Sequence, residues 1–332
     1  MKASISKNYG TPEVFNYGEV VTPVPKRNEV LVKIHVSTVT GSDLMMRRGK
    51  PYIGRLFLGL TKPKTTILGF DFAGEIYGLG EHVTAFKVGD RVFGGTTALG
   101  TYAEYACIHI DDVISILPPN MTFMEAAPVA GSAITVMNFL KGLANIKTGN
   151  RVLINGASGS LGTYAVQIAK TYGAEVTGVC SSANLKMVKE LGAEFVIDYT
   201  TSDFTQNNKR YDIIFDTVGN RTFSDCKKSL TDSGVFLSTV INFRLMLDIL
   251  KTSFMFSKKR AKSSSTGMLP AKRRLAYLLE LKQLMERRKI KTIIDQTYTL
   301  DQMIKAHQHA ESGPKKGNII ITIPPDQITV LK

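Results

Sequence analysis

The chain has 332 residues, enough for two ordinary domains and far more than a disulfide-stapled miniprotein needs. Its 43% hydrophobic share and mean hydropathy near zero exclude a disordered chain, and no stretch approaches the roughly 18 uninterrupted apolar residues of a membrane span. The net charge of +14 invites a nucleic-acid or anionic-membrane partner, but it is concentrated: twelve basic residues between Lys258 and Lys291, against only Glu280 and Glu286, account for +10 of it.

In chain order, Met1–Lys7 lacks the apolar stretch of a secretory leader. The three cysteines, Cys107, Cys180 and Cys226, are odd in number and far apart, so the expected setting is a reducing cytoplasm. Up to about residue 120 the pattern is short β-type runs punctuated by Gly and Pro: Val30–Val36, Asp71–Tyr77, Arg91–Phe93 and Ala103–Ile108. This predicts a twisted, mostly antiparallel β domain, closed by Pro118-Pro119. From residue 121 strands alternate with helical segments. Arg151–Asn155, Glu175–Cys180, Phe195–Ile197, Tyr211–Asp216 and Gly234–Val240 read as strands, and Leu161–Tyr172 has apolar residues at helical spacing. That alternation predicts an α/β fold with a doubly wound parallel sheet. Lys258–Pro270, with its serine run, reads as a mobile polar loop, Lys272–Lys289 as a long helix and Gly317–Ile323 as a final strand.

The sharpest local feature is Gly156-Ala-Ser-Gly-Ser-Leu-Gly162, between an apolar strand and a helix. A dinucleotide pyrophosphate needs a tight small-residue turn and the unpaired N–H groups of a helix N-terminus, and this segment offers both, although Ala157 replaces the first glycine of the strict fingerprint. At the end of the second strand, where NAD-binding proteins usually place an acid, the chain reads Cys180-Ser-Ser-Ala-Asn-Leu-Lys186. Two hydroxyls and a lysine suit a 2′-phosphate, which favours NADPH over NADH; the plainer alternative makes Ser182 a helix cap and Lys186 a solvated surface residue.

Several ordered motifs together resemble the medium-chain dehydrogenase/reductase superfamily, in its zinc-independent quinone oxidoreductase-like branch. They are Asn28–Ile34, Gly69-Phe-Asp-Phe-Ala-Gly-Glu75, Phe86–Phe93, Gly156–Lys170, Leu191-Gly-Ala193, Val196-Ile-Asp-Tyr199 and Lys316–Ile319, and they span the chain. The resemblance implies a GroES-like β domain over residues 1–120, completed by 298–332, with a Rossmann NADPH-binding domain inserted at 121–297. It also implies a homodimer. The positions of the family's catalytic zinc ligands fall at Thr40, Phe70 and Gly131, none a usual zinc donor, so no metal is expected. The remaining chemistry is hydride transfer to an enone, a quinone or a related carbonyl acceptor.

By the same resemblance, Thr135 lies near the nicotinamide, and Ser158, Gly159, Ser160 and Leu161 form the pyrophosphate loop. Ser181 and Lys186 then belong to the 2′-phosphate site and Tyr199 to the adenosine end. Thr217, Val218 and Val240 sit at strand ends lining the cleft, while Gly317 and Asn318 close over it. Ser42 and Asp43 match a proton-relay hydroxyl and its neighbouring acid, which makes them catalytic candidates, although Asp43 equally suits a cap on a helix Leu44–Arg48. Met45 departs from the tyrosine of typical quinone reductases. Tyr52 could donate to a substrate carbonyl, although a loop tyrosine is more often a lid or packing residue.

A different reading is a non-catalytic NADPH-binding protein, crystallin-like or nucleic-acid-binding, with the basic segment as its interface. Against it, Tyr277 is the only aromatic interleaved in that cluster, so base stacking is poorly supported. Val240–Phe256 has the composition of an interfacial helix and suggests peripheral membrane contact; such segments more often cover a substrate cleft or form a dimer surface.

Overall fold

The computed structural model describes residues 1–254, 258–313 and 315–323. The predicted C-terminal completion at 298–332 and the segment Val240–Phe256 therefore lie partly outside the described residues. A short antiparallel pair, β1 (Lys2–Ser6) and β2 (Phe15–Glu19), opens the chain. There follow β3 (Glu29–Val39), α1 (Gly41–Arg48), α2 (Arg55–Leu58), β4 (Asp71–Leu79), β5 (Arg91–Gly95), β6 (Tyr105–His109) and β7 (Val113–Ile116). Near the C-terminus, β14 (Ile294–Thr299), α10 (Met303–Glu311) and β15 (Asn318–Thr322) return to the same sheet, whose order is β14-β15-β3-β4-β5-β7 with β6 also on β3. Every pairing in it is antiparallel except β14 with β15.

Between these two passes the chain builds a six-stranded, wholly parallel sheet. Its strands are β8 (Arg151–Asn155), β9 (Glu175–Cys180), β10 (Phe195–Asp198), β11 (Tyr211–Asp216), β12 (Leu230–Ser238) and β13 (Arg260–Lys262), in the order β10-β9-β8-β11-β12-β13. The connecting helices are α5 (Ser160–Thr171), α6 (Leu185–Glu190), α7 (Phe223–Cys226) and α8 (Phe243–Phe254), and α9 (Ala271–Glu286) follows β13. The reason for the uninterrupted apolar runs is visible in β8. Val152 and Ile154 enter one core while Leu153 enters the core on the other face, so every position after Arg151 is buried. This is the Rossmann arrangement, and the antiparallel sheet is the GroES-like part.

A continuous helix, Phe123–Leu143, links the two sheets. Its regular segments are α3 (Phe123–Pro128) and α4 (Ile134–Met137), with π-helical turns at Val129–Ala133 and Asn138–Leu143. It is long and apolar enough to cross a membrane, yet 67% of it is buried inside the protein, where it fills the core shared by both sheets.

Three local expectations need correction. Lys258–Pro270 is not simply a loop: Arg260–Lys262 is the edge strand β13, anchored by buried Ala261, whose N–H donates to Thr252 Oγ1 at 3.1 Å. A three-residue strand with one apolar position, flanked by cations, has too short a pattern to be read. The strand β12 ends at Ser238, leaving Val240 in the loop beyond it. The first helix begins at Gly41, with Thr40 as its N-cap and Asp43 as the third helical residue of a capping box, not as the cap itself.

Candidate active site

The loop after β8 turns sharply because Gly162 packs against it. A Cβ there would lie 2.0 Å from the Gly156 carbonyl oxygen and 2.7 Å from Ala157 Cα. Gly159 is the N-cap of α5 and makes no side-chain cap bond to the helix's first N–H groups. The N–H groups of Ser160 and Leu161 therefore open a helix without a protein cap, the arrangement that binds phosphate. A Cβ on Gly159 would meet only the Gly156 carbonyl oxygen, at 3.5 Å, so the ligand side is open. The cradle fits a dinucleotide pyrophosphate.

The neighbouring strand ends are tied to this loop. Thr217 Oγ1 donates to the Asn155 carbonyl at 2.8 Å, and Asn155 Nδ2 donates to Asp216 Oδ1 at 2.9 Å and Asn220 Oδ1 at 2.8 Å. Asp216, fully buried, accepts from the N–H groups of Val218 and Gly219 at 3.1 Å each. Thr239 Oγ1 reaches the Thr217 carbonyl at 3.4 Å, which brings Val240 alongside. Asn155 and Asp216 escaped sequence reasoning; their signal is a polar residue ending each apolar strand.

The opposite wall comes from the linking helix and the C-terminal strand. Thr135 Oγ1 donates to the Gly131 carbonyl at 2.7 Å, one turn back and within the π-helical segment. Ser132 donates to Asn318 Oδ1 at 3.2 Å, and the Gly317 N–H donates to the Ser158 carbonyl at 2.9 Å. Gly159 and Gly317 form a parallel bridge. Thus Thr217, Val218 and Gly317 lie against the phosphate loop Ser158–Leu161, Val240 lies against Gly219, and Asn318 is tied through Ser132 to the helix that carries Thr135.

Ser181, Lys186 and Tyr199 lie farther along, at the ends of β9 and β10. The Tyr199 N–H donates to the Cys180 carbonyl at 3.2 Å, and Ser181 Oγ accepts from Asn184 Nδ2 at 3.2 Å. Lys186 points outward, 90% exposed, with Glu190 at 3.9 Å. β10 brings in a carboxylate that the β9 sequence lacks: Asp198 pairs in register with Cys180 and accepts from Ser182 and from Thr200 Oγ1. Those hydroxyl and backbone donors hold Asp198 below the usual carboxylate range, so an anion stands beside the end of β9.

Ser42 is exposed on the first turn of α1, whereas Asp43 is fully buried and accepts from the Thr40 N–H at 2.9 Å. Burial pushes its carboxyl up to about 6. Asp43 is therefore removed from direct contact with a substrate, a correction to its candidacy as a catalytic acid. Fully buried Asp71 accepts from Thr38 Oγ1 at 2.9 Å, and its carboxyl, raised by burial and by nearby Asp43, lies where a Cβ on Gly131 would be 2.3 Å away. Of the three zinc-ligand positions, Thr40 spends its hydroxyl on Asp43, and Phe70 and Gly131 bring no donor side chain. This donor set does not fit zinc.

Two family models match the chain, the alcohol dehydrogenase GroES-like domain over residues 26–118 and the zinc-binding dehydrogenase over residues 191–321. A chloroplastic quinone-oxidoreductase homolog of Spinacia oleracea is 31% identical over 325 residues, 94% of this chain and 95% of that protein. The chain belongs to the medium-chain dehydrogenase/reductase superfamily. Within it the chain falls in the quinone oxidoreductase-like branch. A chloroplastic quinone-oxidoreductase, QR1, of Triphysaria versicolor is 32% identical over 317 residues, 91% of this chain and 92% of that protein. Among solved structures, the Coxiella burnetii quinone oxidoreductase superposes with a TM-score of 0.85 at 26% identity, covering 98% of this chain and 99% of that one. The Escherichia coli quinone oxidoreductase, complexed with NADPH, gives 0.83 at 25% identity over 97% and 100%. This medium-chain protein is an oxidoreductase with a nicotinamide cofactor.

Proposed function

We propose that the protein is an NADPH-dependent, zinc-independent reductase that delivers hydride to an enone, a quinone or a related carbonyl acceptor. The observation that carries this reading is the N-terminus of α5, which has a glycine for its N-cap and is bridged through Gly159 to Gly317. NADPH supplies a hydride at nicotinamide C4. Ser158, Gly159, Ser160 and Leu161 would hold the pyrophosphate, Thr135 and Asn318 the nicotinamide end, and Ser181, Lys186 and Tyr199 the adenosine end. The Thr217–Val218 loop, fixed by Asp216, would line the cleft and exclude water. With Asp43 enclosed, Ser42 is the hydroxyl of that pair left accessible for a proton, and solvent is the other source.

The preference for NADPH rests on the absence of an acid on β9 itself and on the free reach of Lys186. Asp198 opposes it from the next strand. We also infer a cytoplasmic setting, supported by three free thiols that burial pushes up to about 11 at Cys107 and Cys180 and about 12 at Cys226. The test is nucleotide oxidation over a panel of enones, quinones and aldehydes, with NADPH and NADH and with a chelator present. Turnover with NADPH and an enone or quinone, unaffected by chelation, is expected. Preference for NADH would reject the 2′-phosphate assignment, and loss of turnover on chelation would reject zinc independence.

A further inference from the structure

Two buried carboxyls, Asp43 and Asp71, lie beside the end of β3 with no part yet in the chemistry. Two threonines connect them to the site. Thr38 and Thr40 are two residues apart on extended backbone, so their side chains share one face of the strand. Thr38 Oγ1 donates to Asp71 Oδ2, and that carboxyl lies against Gly131, whose carbonyl accepts from Thr135. The shared face therefore looks toward the helix that carries Thr135. Carrying the register of β3 with β15 one residue beyond Val39 and Ile319 sets Thr40 opposite Asn318, which is bonded to Ser132 of the same helix. Thr38 is enclosed and Thr40 only half-buried, so of the two hydroxyls a ligand can reach that of Thr40.

Behind that hydroxyl stands an acid. Thr40 Oγ1 lies 2.5 Å from Asp43 Oδ2, and the Thr40 N–H donates to the same oxygen at 2.9 Å. Asp43 is wholly enclosed, so it acts on a ligand through the hydroxyl and not directly. We propose that Thr40 is the catalytic hydroxyl that protonates the reduced acceptor, with Asp43 as the positioning acid that resupplies its proton. The assignment rests on the reductase reading.

When an enone takes up hydride at its β-carbon, the C=C electron pair moves toward the carbonyl and the oxygen becomes an enolate. The Thr40 O–H bond breaks and its proton goes to that oxygen, while the Asp43 Oδ2–H bond breaks and its proton goes to Thr40 Oγ1. An enol leaves, Asp43 remains as a carboxylate, and a proton from solvent restores it before the next turnover. The surroundings let Asp43 hold that proton. Burial raises its carboxyl to about 6, Asp71 of β4 is a second acid close by, and the nearest cation, Arg47 on the same helix, is engaged by Glu311 of α10. Tyr102 faces Asp43 with a phenol that stays neutral, since burial raises its own pKa further.

The experiment follows NADPH oxidation with an enone from pH 5 to 8 and, separately, the Asp43 carboxyl by carbon-13 NMR of the protein without nucleotide. In the parent, kcat should fall as pH rises through about 6, and the carboxyl should titrate there. Thr40→Val should lower kcat at pH 6 about a hundredfold while NADPH still binds in titration, and Thr40→Ser should recover most of the loss. Asp43→Asn should flatten the pH profile. A carboxyl that titrates near the ordinary value of about 4 overturns the proposal. So does a Thr40→Val variant with the parent's kcat, and so does a loss in Ser42→Ala that Thr40→Val does not share, which would assign the proton to Ser42. A parent that oxidises NADPH with no enone or quinone defeats the reductase reading itself, and this assignment with it; parent turnover indifferent to Thr40→Val defeats the assignment alone.

Discussion

His307 is fully enclosed in the core of the antiparallel sheet, with both ring nitrogens unpartnered among the described residues. Its ring lies 4.7 Å from that of Phe15 and 5.9 Å from that of Tyr102. Burial, assisted by Arg47, pushes its pKa down to about 3. An unfolded imidazole titrates near 6.5, so the unfolded state takes up the proton first, and stability is lost as pH falls from about 6.5 toward 3. Asp43, raised to about 6, acts oppositely: the folded state holds its proton more tightly, and that stability is lost as pH rises from about 4 through 6. His307→Phe keeps a ring and removes the titration. Urea unfolding at pH 5 and 7 should show the gap between the two shrink by about 2 kcal/mol relative to the parent. At the adenosine end, Asp198→Asn should raise the NADPH-to-NADH ratio of kcat/KM severalfold by removing an anion beside the end of β9, and Lys186→Ala should lower it. An unchanged ratio in both would place the specificity elsewhere.

Two helices are each held by one close arrangement. Helix α1, which presents Ser42, is tied to α10 through Arg47, only 1% exposed, whose guanidinium donates to Glu311; Arg48 also reaches Glu311, at 2.8 Å. Removing one partner leaves a buried charge uncompensated, so Glu311→Gln should cost about 3 kcal/mol in chemical denaturation, and Arg47→Met with Glu311→Leu should cost less. In α5, Gly162→Ala sets a methyl group against backbone atoms that have no flexible end to yield. A loss of about 1–3 kcal/mol and weaker dinucleotide binding in titration should follow. The elements differ in how plainly the chain announces them. The central strands β8, β9 and β11 were legible because their apolar runs are buried on both faces. β13 was not, since Ala261 alone faces a core. The phosphate loop was legible through its small residues, and the cleft-lining positions through ordered motifs. Asp198 was hidden by topology: it reaches the end of β9 only because β10 pairs beside it, a neighbour relation no local window contains. His307 sits in an ordinary amphipathic helix, and only the packed core reveals its isolation.

At the scale of the whole molecule, the phosphate loop of the parallel sheet is bonded to Gly317 at the start of β15 in the antiparallel sheet, so a dinucleotide held by that loop should bind the folded assembly more tightly than either part alone. Saturating NADPH at about 100 times its Kd should stabilise the protein by about 2.7 kcal/mol and raise its Tm by a few degrees in a single transition. Two transitions, only one of them shifted, would show that the parts melt independently. The charge that dominates the composition resolves into a local feature near β13 and α9, remote in sequence from the phosphate loop. The path of the chain has one more consequence. The second half of β3, Val36–Val39, pairs with β15, and Asn318–Thr322 is the last strand described. During synthesis the parallel sheet can therefore form while that stretch of β3 still has an open edge, the kind of edge that recruits other chains. Intermediates that lack β15 should be vulnerable at that edge, and its arrival both seals it and carries Gly317 onto the phosphate loop. The phosphate cradle is thus completed only by a strand that lies more than 150 residues farther along the chain.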